Sequence, residues 1–197
     1  MFHQPLDVIK GIIFDLDGTL LTSSLDFKVI REQIHCPSHL DVLSFIAGLP
    51  AQTQEVANQV VLAHEMADAQ DSMWISGAEQ AIASLKKRQI PIAIVTRNSK
   101  QATLHKLKNN KLVVDTVITR EDAPPKPNPN ALLKIAKDWG LPVQQVAYIG
   151  DYLYDIQAAN NADMFAGLYA PNEVPNYAHL AHWVFNHFDQ FTGLIKT

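Results

Sequence analysis

Short apolar runs alternate with amphipathic patterns of helical period along most of the chain. Six apolar runs predict buried strands, at residues 8–14, 90–95, 114–118, 145–149, 164–169 and 183–185. Helical patterns lie between them, at residues 78–88, 99–109, 130–139 and 155–161. Strands that alternate with helices in this way predict an α/β fold, in which a parallel sheet carries helices on both faces.

One stretch, residues 21–75, breaks this alternation because it shows no strand pattern. Its helical patterns lie at residues 27–34, 39–49 and 54–69. Pro37 and Ser38 predict the start of the second of these helices. A helical block that follows the first strand directly is interpreted as a small cap domain on a core formed by residues 1–20 and 76–197.

Composition narrows the class of protein further. Apolar residues make up 47% of the 197-residue chain, enough for a sizeable core, and the formal net charge is −4. No Lys/Arg-rich run is present, which argues against a nucleic-acid partner. The single cysteine, Cys36, excludes an internal disulfide framework and fits a reducing compartment. Because no signal-type segment is found and Asp15 interrupts the first apolar run, we expect a soluble, cytoplasmic protein with no membrane partner.

Two carboxylates directly follow the first predicted strand, in the motif DLDGTL at residues 15–20. Ligands of open α/β sheets bind at the carboxyl ends of strands, and Gly18 permits the chain to leave the extended state so that both carboxylates reach one pocket. One carboxylate can then attack phosphorus to form an aspartyl-phosphate, while the other protonates the leaving oxygen and later deprotonates water. The alternative is a solvated loop with an Asp-Gly turn.

Polar side chains also follow the second predicted strand. The Thr96 hydroxyl at the strand end can donate a hydrogen bond to a phosphoryl oxygen, and Arg97 and Asn98 can contact either substrate or cap. A helix N-cap at Asn98 or Ser99 explains these residue types equally well. Taken alone, this motif leaves both alternatives open.

A lysine lies within a proline-rich loop, residues 124–129. The prolines stiffen the loop and hold Lys126 in place, and a fixed ammonium can neutralise a carboxylate nucleophile and phosphoryl charge together. In isolation the pattern favours a surface lysine, so the functional interpretation depends on the other motifs.

The last motif is Gly-Asp-Tyr-Leu-Tyr-Asp at residues 150–155, after the fourth predicted strand. Mg²⁺ prefers oxygen ligands and keeps several waters, and Asp151 is placed at the strand end to be such a ligand. Asp155 can bind the ion directly or through water, or it can orient Lys126. The alternative for Asp155 is a first-turn acid that the helix dipole favours.

The order, strand-end placement and spacing of these four motifs resemble the haloacid dehalogenase superfamily over essentially the whole chain. Within it, the chain is similar to the branch with a helical cap after the first strand, as in phosphoglycolate phosphatase-like enzymes. The resemblance implies a Rossmann-like core. It also implies that Asp15 is the nucleophile, Asp17 the acid/base, Thr96 the phosphate-binding hydroxyl and Lys126 the charge anchor.

The same resemblance implies a Mg²⁺ site formed by the Asp15 side chain, the Asp17 carbonyl and Asp151. From its own place in the last motif, Asp155 is a fourth candidate ligand, directly or through water. The expected function is therefore a Mg²⁺-dependent phosphatase that acts on a small phosphorylated metabolite. Two departures concern the substrate: Tyr152 stands where many relatives have serine, and the cap is short.

Three alternatives to this function remain at the level of the sequence. A carbon–halogen hydrolase of the same superfamily also uses an aspartate nucleophile, but it needs neither Mg²⁺ nor an acid two residues on, so Asp17 and Asp151 argue for phosphoryl transfer. A phosphomutase shares the phosphatase motifs. A non-catalytic binding module is disfavoured because all four motifs are retained.

Overall fold

The computed structural model describes residues 8–190, and these form a six-stranded, all-parallel sheet. The strands are β1 (Gly11–Phe14), β2 (Ile92–Val95), β3 (Thr116–Ile118), β4 (Val146–Gly150), β5 (Phe165–Tyr169) and β6 (Trp183–Phe185). Their order across the sheet is β3-β2-β1-β4-β5-β6. The predicted parallel sheet is confirmed, and β1 lies in its interior between β2 and β4.

Seven α-helices complete the described part of the chain. They are α1 (Phe27–Gln33), α2 (Val42–Ala47), α3 (Ala51–Asp71), α4 (Ala78–Lys87), α5 (Lys100–Asn109), α6 (Asn130–Asp138) and α7 (Leu153–Asn161). Within residues 8–190, no helix combines the length and the apolar character needed to cross a membrane.

Helices cover both faces of the sheet, as the alternation of elements predicts. Successive side chains of a strand point to opposite faces, and all four residues of β1 are buried. Ile12 and Phe14 pack in one apolar layer with Leu85 of α4. Ile13 packs in the opposite layer with Ile135 of α6. Burial on both faces explains why the strand sequences are continuously apolar rather than alternating.

Several element boundaries differ from the predicted ones. The first strand begins at Gly11 rather than at residue 8, and Val8 is exposed. The second begins at Ile92, after Pro91, whose carbonyl accepts from the Ile12 amide but which has no amide hydrogen of its own to donate. Predicted strand 114–118 begins only at residue 116. Apolar character alone marks these runs as core-facing without showing where ladder pairing begins.

The helices between β1 and α4 form their own apolar cluster. Its buried members are Ile30, Ile34, Cys36, Val42, Ile46, Ala57 and Val61. The predicted start of the second helix at Pro37 and Ser38 is wrong, because the Asp41 carboxylate accepts a hydrogen bond from the amide of Ser44 and caps α2 there. The two connections to the sheet meet in an antiparallel bridge between Leu21 and Trp74.

Candidate active site

The sheet order brings three of the predicted motifs together at the carboxyl ends of neighbouring parallel strands. Asp15 follows β1, Thr96 follows β2 and Asp151 follows β4, and β1 pairs with both of the other strands. A cavity of about 450 Å³ lies at these strand ends. It is lined by every predicted site residue, namely Asp15, Asp17, Thr96, Arg97, Asn98, Lys126, Asp151 and Asp155. Residues of the helical block, including Phe27 and Leu43, line the cavity as well.

Gly18 gives the loop after β1 its sharp turn. Its φ of +75° lies in the left-handed region, and a Cβ placed on it would lie 2.3 Å from Asp151 Oδ2. The next residue, Thr19, donates a hydrogen bond from Oγ1 to Asp151 Oδ1 at 3.2 Å. Because any residue with a Cβ would be strained at this φ and would lie too close to Asp151, the position favours glycine.

Lys126 is buried, so the surface-lysine alternative is wrong. Its Nζ lies 2.6 Å from Asp15 Oδ1 and 2.6 Å from Asp155 Oδ1. The Tyr148 hydroxyl lies 3.0 Å from the same Asp155 oxygen, and the amide of Tyr152 donates to Asp155 Oδ2 at 3.0 Å. Because protein donors already occupy both of its oxygens, Asp155 is arranged to anchor the lysine beside Asp15.

Three carboxylates meet in this part of the cavity. Oxygens of Asp15, Asp151 and Asp155 all lie within 4.8 Å of one another. Burial raises the pKa of Asp15 well above its usual value; Lys126 opposes this increase, while the charges of Asp155 and Asp151 add to it. Burial, with the charge of Asp155, raises the pKa of Asp151 to about 7. An oxygen-rich, largely buried cluster with one ammonium for three carboxylates fits a hard divalent cation such as Mg²⁺.

The Asp17 side chain lies outside that acidic cluster, as far as residues 8–190 show. Its Oδ2 accepts a hydrogen bond from Asn98 Nδ2 at 2.5 Å, and its Oδ1 accepts one from Lys106. The alternative of an N-cap at Asn98 is therefore wrong. Ser99 caps α5 instead, since its hydroxyl accepts from the amide of Ala102 at 3.2 Å.

Arg97 reaches across the cavity to the helical block. Its Nη2 donates to Asp41 Oδ2 at 2.6 Å. Its guanidinium carbon lies 4.7 Å from the centre of the Tyr154 ring, within the range of a cation–π contact. Asp41, which also caps α2, thus connects the N-terminus of that helix to the loop after β2.

Sequence reasoning missed two buried ion pairs that join α3 to the rest of the site. Asp68 pairs with Lys106 of α5, and Glu65 pairs with Arg120. A signal was present in the spacing, because the two acids share the buried stripe of α3 with Val61. Lys106 likewise follows the buried positions Ala102 and Thr103 on α5.

Residues 12–167 match the family model described as haloacid dehalogenase-like hydrolase. The match covers well over half of the chain, which therefore belongs to this family of hydrolases.

Individual relatives agree with this assignment. An uncharacterized hydrolase of Saccharomyces cerevisiae is 30% identical over 189 residues, which cover 91% of this chain and 85% of the yeast protein. A phosphoglycolate phosphatase of Thiobacillus denitrificans is 25% identical over 181 residues, covering 78% of this chain and 80% of that protein. The crystal structure of a hydrolase from Pseudomonas syringae shares the fold with a TM-score of 0.77 at 21% identity, covering 95% of this chain and 100% of that one. The chain is a hydrolase of this family with an acidic cluster that could hold a metal ion.

Proposed function

We propose that this protein is a Mg²⁺-dependent phosphatase that hydrolyses a small phosphorylated metabolite through an aspartyl-phosphate on Asp15. The observation that carries the proposal is the environment of Asp15: a buried carboxylate at the sheet edge, 2.6 Å from the Lys126 ammonium and within the acidic cluster. The similarity to a phosphoglycolate phosphatase supports phosphoryl chemistry.

In the first step, a carboxylate oxygen of Asp15 attacks phosphorus and the bond to the leaving oxygen breaks. Asp17 donates a proton to that oxygen, so the product leaves as a neutral alcohol. Lys126 offsets the negative charge that the nucleophile and the phosphoryl group share. Thr96, which is buried at the end of β2, supplies a hydroxyl donor for a phosphoryl oxygen.

In the second step, water attacks the phosphorus of the aspartyl-phosphate and the bond to Asp15 breaks. Asp17, now a carboxylate, accepts the proton of that water, and inorganic phosphate is released. The side chains of Asp15 and Asp151 and the carbonyl of Asp17 would hold Mg²⁺, with Asp155 acting through Lys126 or through water. When bound, the ion offsets the charge that phosphoryl transfer gathers on the oxygens.

Release of inorganic phosphate from p-nitrophenyl phosphate, with and without Mg²⁺, tests this function. A phosphatase releases phosphate from this ester and from at least one metabolite of a phosphorylated panel. Conversion of a sugar phosphate to its isomer without release of phosphate would identify a phosphomutase instead. No turnover of any ester would favour a dehalogenase or a non-catalytic binding module.

Replacing Asp17 with asparagine is expected to lower the rate by roughly 10²–10⁴-fold, the usual contribution of a positioned acid/base. The loss should be smallest for p-nitrophenyl phosphate, because p-nitrophenolate departs with little help from a proton. Comparing kcat/KM of the variant across esters with different leaving groups checks this. An equal loss for good and poor leaving groups would count against acid catalysis by Asp17.

Substrates are expected to be small phosphorylated metabolites, such as sugar or short organic-acid phosphates, rather than phosphoproteins. The helical block lines the same cavity as Asp15 through residues that include Leu25, Phe27 and Leu43, and a cavity of about 450 Å³ has no room for a folded surface. Values of kcat/KM measured for a metabolite panel and a set of phosphopeptides decide the matter. Clearly higher values for the phosphopeptides would contradict the expectation that the helical block restricts the cavity to small substrates.

A further inference from the structure

A fully buried lysine, Lys106 on α5, lies behind the proposed acid/base. Its side chain is 0% exposed, and it pairs with Asp17 Oδ1 and Asp68 Oδ2. A buried ammonium is costly unless it is paired and hydrogen-bonded. Burial alone would lower the pKa of Lys106, but the two carboxylates raise it above its ordinary value, so the ammonium stays charged.

Asp68 holds the ammonium on the side away from Asp17, and its own position is fixed by Ser23 and Ser24 in the segment between β1 and α1. Its Oδ1 accepts from the amide and the hydroxyl of Ser24, the latter at 3.0 Å, and its Oδ2 accepts from the Ser23 hydroxyl at 3.0 Å. Asp68 therefore links α3 to the segment between β1 and α1. Any shift of either element would move the partner of Lys106.

We infer that Lys106, held by Asp68, is a positioning residue that fixes the side chain of Asp17 for proton transfer to the leaving group. This inference rests on the proposed phosphatase function. Lys106 donates to one carboxylate oxygen of Asp17 and Asn98 donates to the other. Two donors on different atoms fix both the direction and the plane of the carboxylate. Lys106 has no exposed surface with which to touch substrate, so it acts through Asp17.

The competing explanation is purely structural: Lys106 could serve only to attach α3 to α5. The two explanations predict different losses of turnover for different ester substrates. A structural defect lowers turnover of every ester by the same factor. Misplacement of an acid lowers turnover most for esters whose leaving group needs a proton.

Phenyl phosphate and p-nitrophenyl phosphate are suitable probes because they have similar shapes and very different leaving groups. Lys106→Met is expected to lower kcat/KM for phenyl phosphate about tenfold or more beyond its effect on p-nitrophenyl phosphate. Most of the loss should appear in kcat rather than KM. Lys108→Met, the same substitution at an exposed position of α5, should leave the ratio of the two kcat/KM values, phenyl phosphate to p-nitrophenyl phosphate, unchanged.

Arg120→Gln provides the matched structural control, because it removes the other buried ion pair of α3 without touching Asp17. It should lower the thermal midpoint but keep the wild-type ratio. If Lys106→Met does not fold, Asp68→Asn carries the same test, since it preserves side-chain size while it removes the charge that holds the ammonium and one of the two acceptor oxygens. It is expected to change the ratio in the same direction.

A double-mutant cycle between Asp17→Asn and Lys106→Met completes the test. Once Asp17 can no longer transfer a proton, the second substitution should not change the ratio further. Equal losses for both esters in a folded Lys106→Met or Asp68→Asn protein would overturn the positioning role and leave the phosphatase function intact. A wild-type protein that hydrolyses neither ester would instead overturn the proposed function itself.

Discussion

Replacing Asp15 with asparagine is expected to abolish phosphate release while the protein stays folded. The amide has nearly the shape of the carboxylate but is not a nucleophile, so no aspartyl-phosphate can form. Lys126 keeps its second partner, Asp155, and is not left as an unpaired buried charge. We expect a loss of at least about 10⁴-fold in kcat, the scale seen when a covalent nucleophile is removed.

Phosphate release from p-nitrophenyl phosphate measures the loss of activity, and thermal unfolding shows whether the variant stays folded. Asp163→Asn is the matched control, because Asp163 is exposed and its φ of 54° suits asparagine. That variant should retain wild-type activity. Normal turnover by a folded Asp15→Asn protein would contradict the covalent mechanism, whatever the role of the other residues.

The position of the site at the carboxyl ends of the strands could be predicted from the sequence because three of the four motifs follow a predicted strand. Asp15 and Thr96 follow an apolar run directly and Asp151 follows one after Gly150, and the carboxyl ends of parallel strands lie on the same side of the sheet. Lys126 is different, because it lies in a loop rather than at a strand end. Only the tertiary structure shows that its ammonium is buried between Asp15 and Asp155.

The contacts between helices could not be predicted in the same way. The spacing of buried positions indicates which face of α3 packs inward, but Asp68 and Lys106 are 38 residues apart and belong to different helices. Nothing in their local sequences selects one partner over another. An acid on an apolar stripe is therefore a signal that a buried partner exists, without indicating which residue it is.

Competition between local signals explains why the predicted start of α2 is wrong. Ser38 and Asp41 are both good N-cap residues, and Pro37 favours the earlier start. In the structure, Asp41 accepts from the Ser44 amide and also pairs with Arg97 across the cavity. The tertiary ion pair adds to the local cap at Asp41 and to no other candidate, so α2 begins after it.

Activity is expected to depend on a divalent cation held in part by Asp151. The carboxylates of Asp15, Asp151 and Asp155, two buried and one half-buried, have oxygens within 4.8 Å of one another and repel each other, and burial with the charge of Asp155 raises the pKa of Asp151 to about 7. A bound Mg²⁺ offsets this repulsion together with the charge on the phosphoryl oxygens. Excess chelator should therefore remove activity, and added Mg²⁺ should restore it.

Asp151→Asn tests the same site without a chelator. Losing a charged ligand should lower kcat/KM by on the order of 10²-fold or more at saturating Mg²⁺. Binding also has a readout that is independent of turnover, because an ion that binds only the folded state raises the thermal midpoint. Mg²⁺ should raise the midpoint of the wild-type protein and of Asp163→Asn, and raise it much less in Asp151→Asn. Full phosphate release in excess chelator would refute the metal requirement.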